Sequence, residues 1–371
     1  MANPGSIRPL PVNDNNFHPD IISKYTPDAP FEGMVWAHLS ESGLIDYVYV
    51  FHNNRWLMLN TNSSSSGNCT GSLPCGDTGV FGGGYDGSSR VNTIDYITIS
   101  TPSDATDFGD LTVARDAPSA TSNSTNDRGV FGGGSTGSIV NTIDYIAIST
   151  PSNASDFGDL TVARSSFSAT SNGTNDRGVF GGGDIGSSRV NTIDYITIST
   201  PSDATDFGDL TVARNWLSAT SNGTNDRGVF GGGWDGSSRV NTIDYITIST
   251  PSDATDFGDL TVAREAPSAT SNGTNDRGVF GGGSTGSIVN TIDYITISTP
   301  SNASDFGDLT VARETSGAVS NGTNNRGVFG GGYAGSAVNT IDYITISTPS
   351  DAMDFGDLTA VKYWLSATSN A

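Results

Sequence analysis

"LSATSNGTNDRGVFGGGWDGSSRVNTIDYITISTPSDATDFGDLTVAR", residues 217–264, is one complete copy of a unit that the chain repeats. Its first stretch, "SATSNGT", alternates small residues and ends on turn-forming Asn-Gly; we label it strand a. "RGVFGGG" follows as strand b, a short apolar run closed by glycines. "NTIDYITIST" alternates isoleucine and tyrosine with threonine, the period-two pattern of a half-buried strand, and becomes strand c. The proline of "TPSDATDFGD" breaks the chain before strand d, "DFGDLTV". No stretch has helical periodicity. Four short strands in every 40–50 residues mark the blade of a β-propeller.

Working outward, "GVFGGG" recurs with its phenylalanine at Phe81, Phe131, Phe180, Phe230, Phe280 and Phe329. "NTIDY" begins at Asn92, Asn141, Asn191, Asn241, Asn290 and Asn339. The copies are offset by one strand. The first glycine strand, "TGVFGGG" at 78–84, lacks the small-residue strand before it, whereas "WLSATSNA" at 364–371 is such a strand with nothing after it. Six of each strand type are present. The expected fold is therefore all-β: a six-bladed propeller of four-stranded blades whose C-terminal strand completes the first blade. Closure of that kind removes unpaired sheet edges.

The unit resembles the Kelch repeat, on the glycine doublet Gly82-Gly83 after strand b, Tyr96 in strand c and the aromatic Phe108 in strand d. Kelch repeats usually carry tryptophan at the last position and lack the third glycine, so the resemblance is to a divergent, Kelch-like blade over residues 79–371. It implies the fold and little about function. Residues 1–30 read as an extended arm rich in proline and asparagine. Residues 31–60 read as a small β-module, with strands near 33–39, 46–51 and 55–59, a turn at His52-Asn53-Asn54, and Trp36, Tyr47, Tyr49 and Trp56 as its core. That module is similar to short β-modules near the N-termini of bacteriophage tail and appendage proteins. Residues 61–77 read as a linker, and 78–371 as the propeller.

Composition narrows the functional classes. Acids outnumber bases 39 to 17, a formal charge of −22, which disfavours nucleic acid and anionic membranes as partners. No apolar run is long enough to insert in a membrane, and the first residues have neither the basic nor the apolar region of a secretory signal. Release by lysis, as part of a virus particle, fits that expectation. Cys69 and Cys75 form either a small disulfide loop or two free thiols; without a neighbouring histidine they do not complete a zinc site.

Catalytic chemistry finds few parts. His18, His38 and His52 all precede the repeats, which removes a Ser-His-Asp arrangement from the ring. The copper oxidases built on Kelch propellers use ring histidines and a cysteine, and neither occurs here. Nearly every ring aspartate appears in six copies, whereas an active site breaks symmetry, so they read as strand-end and turn residues and no catalytic site is assigned. No lysine or helix follows the triple glycine, which leaves a phosphate cradle without its parts. Asp104, Asp107 and Asp110 invite a calcium reading, but Asn153 and Asn302 replace the first of them in two copies, and turn carboxylates are the favoured reading. No metal or cofactor is expected.

The copies differ at two places that an up-down-up-down blade brings to one face. After the glycines stand Tyr85-Asp86, Ser135-Thr136, Asp184-Ile185, Trp234-Asp235, Ser284-Thr285 and Tyr333-Ala334. Before strand a stand Asp116-Ala117-Pro118, Ser165-Ser166-Phe167, Asn215-Trp216-Leu217, Glu265-Ala266-Pro267, Glu314-Thr315-Ser316 and Tyr363-Trp364-Leu365. Variable loops on a rigid frame are where binding residues sit, and drift alone does not favour large aromatics. Tyr85, Asp86, Phe167, Trp216, Trp234, Tyr333 and Trp364 are the candidate ligand-binding residues. The expected protein is a virion component, a phage tail fibre or tail tip, docked to other virion proteins through its N-terminal region. Its propeller would present the variable face to a host-surface glycan or protein. A purely structural capsid or tail decoration and a bacterial surface lectin are the alternatives.

Overall fold

The computed structural model describes residues 21–23, 34–39, 45–52, 55–59, 71–74, 76–123, 126–173, 175–273, 275–321 and 325–370. The chain divides into two units, Met1–Ser66 and Gly67–Ala371.

In the first unit, Ile21–Ser23, Val35–Leu39, Ile45–His52 and Arg55–Leu59 form a four-stranded sheet in chain order. Its outer strand, Ile21–Ser23, pairs parallel with Val35–Leu39 and belongs to the stretch read as an arm. The other pairs are antiparallel, with Trp36 opposite Tyr49 and His52 opposite Arg55. Met34 is buried. Asn53, Asn54, both cysteines, and the side chains of the expected Trp36, Tyr47, Tyr49 and Trp56 core lie outside the described residues.

The second unit is a ring of six sheets, each of four antiparallel strands in the order a-b-c-d. The fourth blade shows the pattern: Ser218–Ser221, Arg227–Gly231, Thr242–Thr247 and Thr255–Asp259. Every strand a contacts the strand a of both neighbouring blades, so the small-residue strands encircle the axis. The one-strand offset resolves as the sequence requires. Ser366–Ser369 pairs with Thr78–Gly82, with Ala367 opposite Phe81, and completes the first blade.

Strand c is buried on both faces rather than half-buried, because each blade is covered by a neighbour on either side. Ile94 packs in the core between the first and second blades, and Ile97 in the core between the sixth and first. The repeated motifs are inter-blade joints. Phe81 and its five equivalents have no exposed surface. Each phenylalanine lies on the first glycine of the preceding blade's "FGG", where a Cβ at Gly231 would come within 2.8 Å of the Phe280 ring. In each "DFGD" the glycine has φ near +144°, and a Cβ at Gly208 would come within 2.5 Å of the Ser252 carbonyl region of the next blade. Only glycine combines that conformation with that approach. Within each blade the strand c tyrosine meets the strand d phenylalanine edge-on, as in Tyr245–Phe257 at 5.9 Å.

Strand d ends earlier than its sequence suggests. After Asp110, Leu111 turns into the core and the Thr112 hydroxyl donates to Asp144 Oδ1 of the second blade at 2.7 Å. Arg115 then reaches the same carboxylate at 2.9 Å, both side chains fully buried. The pair recurs as Arg164–Asp194, Arg214–Asp244, Arg264–Asp293 and Arg313–Asp342, and as Lys362–Asp95 where the ring closes, at 2.8 to 3.1 Å. These "NTIDY" aspartates are thus mid-strand partners of buried cations, not the turn residues their recurrence suggested. Burial lowers the pKa of all six cations, with the facing aspartate opposing the shift.

The end of the expected linker is part of the ring. Elsewhere an arginine opening strand b donates to the next blade, as Arg128 Nη1 does to the Ile198 carbonyl at 2.9 Å. Thr78 replaces it in the first blade and is too short. Gly71 and Leu73 take over, donating their amides to Ser149 Oγ and the Ser149 carbonyl at 3.1 and 2.9 Å.

Candidate functional site

The two variable stretches of each blade pair with each other. Tyr85 bridges Tyr363, Ser135 bridges Asp116, Asp184 bridges Ser165, Trp234 bridges Asn215, Ser284 bridges Glu265 and Tyr333 bridges Glu314. Both variable stretches therefore lie on one face. Each triplet before strand a divides into three environments, and the division decides which candidates remain available.

The middle residues form a ring of their own. Ala117, Ser166, Trp216, Ala266, Thr315 and Trp364 all have positive φ, between 49 and 57°. Each donates its backbone N–H to the carbonyl of its counterpart in the preceding blade, from Ala117 to Trp364 at 2.8 Å round to Trp364 to Thr315 at 3.1 Å. This closed circle of six amide hydrogen bonds forms the rim of an axial cavity of about 120 Å3, lined also by the starts of the strands a. Trp216 and Trp364 line that cavity and are half-buried.

The third residues point into the inter-blade cores. Phe167 is 5% exposed, edge-on to Phe180 at 6.0 Å and beneath the Arg164 guanidinium. Its slot is filled by Pro118, Leu217, Pro267, Ser316 and Leu365 in the other copies, so Phe167 is a packing residue and leaves the candidate set.

The first residues and their bridge partners form an outer row. Tyr363, half-buried and unremarked in the initial candidate set, is the hub of an aromatic cluster: Trp364 at 4.7 Å, Tyr333 at 5.3 Å and Tyr85 at 5.6 Å between ring centres. Its adjacency in sequence to Trp364 was the available signal. Across the ring, the Arg239 guanidinium sits over Trp234 at 5.5 Å and pairs with Glu265 at 2.6 Å. Burial, then the Glu265 charge, push the Glu314 carboxyl above its ordinary pKa.

Asp86 works within its own loop. Its carboxylate accepts the amides of Ser88 and Ser89, both at 2.7 Å, which with the hydroxyls lower its pKa to about 2. Asp235 repeats the arrangement. Asp104 also has a local task. Its Oδ1 accepts the Asp357 amide of the preceding blade, the place that Asn153 and Asn302 fill for Asp110 and Asp259. An amide oxygen serves there as well as a carboxylate, which explains the Asp/Asn alternation without a metal.

No protein-family model matches the chain, and none of the curated proteins compared with it matches.

Proposed function

We propose that this protein is a virion appendage component, of phage tail-fibre or tail-tip type, whose Kelch-like propeller presents its variable face to a host-surface glycan or protein. In this reading the ring is a binding module with no catalytic role, and the N-terminal unit docks to other virion proteins. The observation that supports it is the convergence of unit-to-unit differences on one face, where they place Tyr85, Tyr333, Tyr363 and Trp364 in mutual contact. Half-buried aromatics held by a rigid frame give contact area at little entropic cost.

The test compares the full chain with Trp216→Ala/Trp234→Ala for attachment to a panel of bacterial cells and their isolated surface glycans. Thr205→Ala/Thr255→Ala, at exposed positions of strand d, is the control. At about 1 kcal/mol per stacked ring, the double tryptophan variant loses about tenfold or more in attachment at unchanged melting temperature. Equal attachment by all three proteins refutes a binding role for those tryptophans. Particle proteins retained by the full chain and lost on removing residues 1–66 support the docking half; retention by 67–371 alone refutes it.

A further inference from the structure

The six-fold ring carries a two-fold pattern on its variable face. The first and fourth blades both present an aromatic followed by Asp-Gly-Ser-Ser-Arg after the glycines, Tyr85–Arg90 and Trp234–Arg239, and both place Trp-Leu before strand a. The second and fifth blades share Ser-Thr-Gly-Ser-Ile and an acid-Ala-Pro triplet. The third and sixth share neither. Blades one and four are three steps apart in either direction, hence at opposite ends of a diameter.

The structure turns this pattern into two matching constellations. Arg90 Nε meets Asp116 of the next blade at 3.0 Å, and Arg239 Nη2 meets Glu265 of the next blade at 2.6 Å. Trp364 and Trp216 face each other across the axial cavity, with only Ala117, Ser166, Ala266 and Thr315 between them on the rim. Beyond them on the same diameter stand Tyr85, 6.4 Å from Trp364, and Trp234. The flanks differ: Tyr333 and Tyr363 on one side, Asp184 and Asn215 on the other.

We propose that the face carries two equivalent half-sites at the ends of this diameter and takes one neutral, linear glycan chain laid across the axis, with sugar rings stacked on Trp364 and Trp216. The inference rests on the reading of the variable face as a binding surface. Neutrality follows from the charges: each half-site arginine is already paired with a carboxylate, and the chain as a whole carries −22. Linearity follows from the rim, where only Ala117 and Ser166 on one side and Ala266 and Thr315 on the other separate the two tryptophans. A chain that reaches both ends gains from effective concentration, which a short sugar does not.

The test uses the full-length protein on an array of neutral linear hexasaccharides (malto-, cello-, laminari- and chito-series) together with charged and branched glycans. Calorimetry follows on the tightest hexasaccharide and its disaccharide, with Trp216→Ala, Trp364→Ala and the control Thr205→Ala/Thr255→Ala. The expected result is one hexasaccharide but two disaccharides per chain, with each tryptophan variant weakening the hexasaccharide by a similar factor of about 3 to 10. Two hexasaccharides per chain, or sensitivity to only one tryptophan, overturns the two-ended track while keeping the face as a glycan site. Binding confined to charged or branched glycans, or to a protein ligand, and weakened by either tryptophan variant does the same to the proposed ligand class. Binding indifferent to both variants, or absent throughout, overturns the inference, and indifference overturns the reading beneath it as well.

Discussion

Removing residues 364–371 tests the closure of the ring directly. The deletion takes away the whole strand a of the first blade, from Ser366 opposite Gly82 to Ser369 opposite Gly79. It breaks the circle of amide bonds at Trp364, which accepts from Ala117 and donates to Thr315. It removes Leu365 from the core around Phe81, and Asn370, whose Oδ1 accepts the Thr78 amide at 3.1 Å. With about 1 kcal/mol for each lost hydrogen bond and about 2 kcal/mol for Leu365, the loss is on the order of 10 kcal/mol. That equals the whole stability of an ordinary domain. Phe81 and Val80, both fully buried in the intact ring, would line an open edge. Circular dichroism melting and size-exclusion chromatography should therefore report loss of the cooperative transition or aggregation. A peptide of residues 363–371 added in trans should restore part of the transition. The single change Leu365→Ala grades the effect, lowering the melting temperature by about 3–8 °C for a unit of this size. A truncated ring that melts like the intact one, with no effect of the peptide, would refute the closure argument.

Arg214→Met alone strands the buried Asp244 carboxylate and should cost about 3–5 kcal/mol in chemical denaturation, with Asp244→Leu added on top recovering much of it. Gly231→Ala forces a Cβ against Phe280 and should cost about 1–3 kcal/mol by the same measurement. The Asp86 carboxyl should titrate near 2 by NMR, and Ser88→Ala/Ser89→Ala, which removes the hydroxyls but keeps the two backbone amides that do most of the lowering, should leave it well below its ordinary value near 3.8. Because its folded pKa is depressed, its loop is held fully above pH about 4 and loosens as pH falls through about 2. Trp216→Gly should leave the melting temperature unchanged or higher, since glycine relieves the left-handed conformation, while abolishing the contribution of that tryptophan to attachment.

How much of this was legible in the sequence follows from what each residue touches. Blade number, strand order and the one-strand offset rest on local signals, such as the glycine run after Phe81 and the turn after strand a, which recur often enough to be unambiguous. The buried ion pairs were not legible, because Arg115 and Asp144 lie in adjacent blades and nothing local marks either as a partner. Recurrence pointed the wrong way there, because a repeated acid is as well suited to a repeated inter-blade joint as to a turn. The face was legible as a set of variable positions, yet not in its depth. Phe167 and Trp216 are adjacent columns of one triplet, and only the backbone decides that the first points into the core while the second points at the axis.

That backbone also weighs against drift as the source of the aromatics. A non-glycine residue in the left-handed region costs about 1 kcal/mol, and the cost is most acute for bulky and β-branched side chains. Six equivalent positions adopt that conformation, and not one is glycine, asparagine or aspartate, the residues that tolerate it best. Tolerant drift after duplication would have visited those residues first, since the amide circle needs only a main chain. Instead two of the positions, at opposite ends of a diameter, hold tryptophan, and Thr315 holds a β-branched side chain. The binding role proposed above accounts for residues that the fold disfavours and the hydrogen bonds do not need, since at this rim the side chains of Trp216 and Trp364 line the axial cavity.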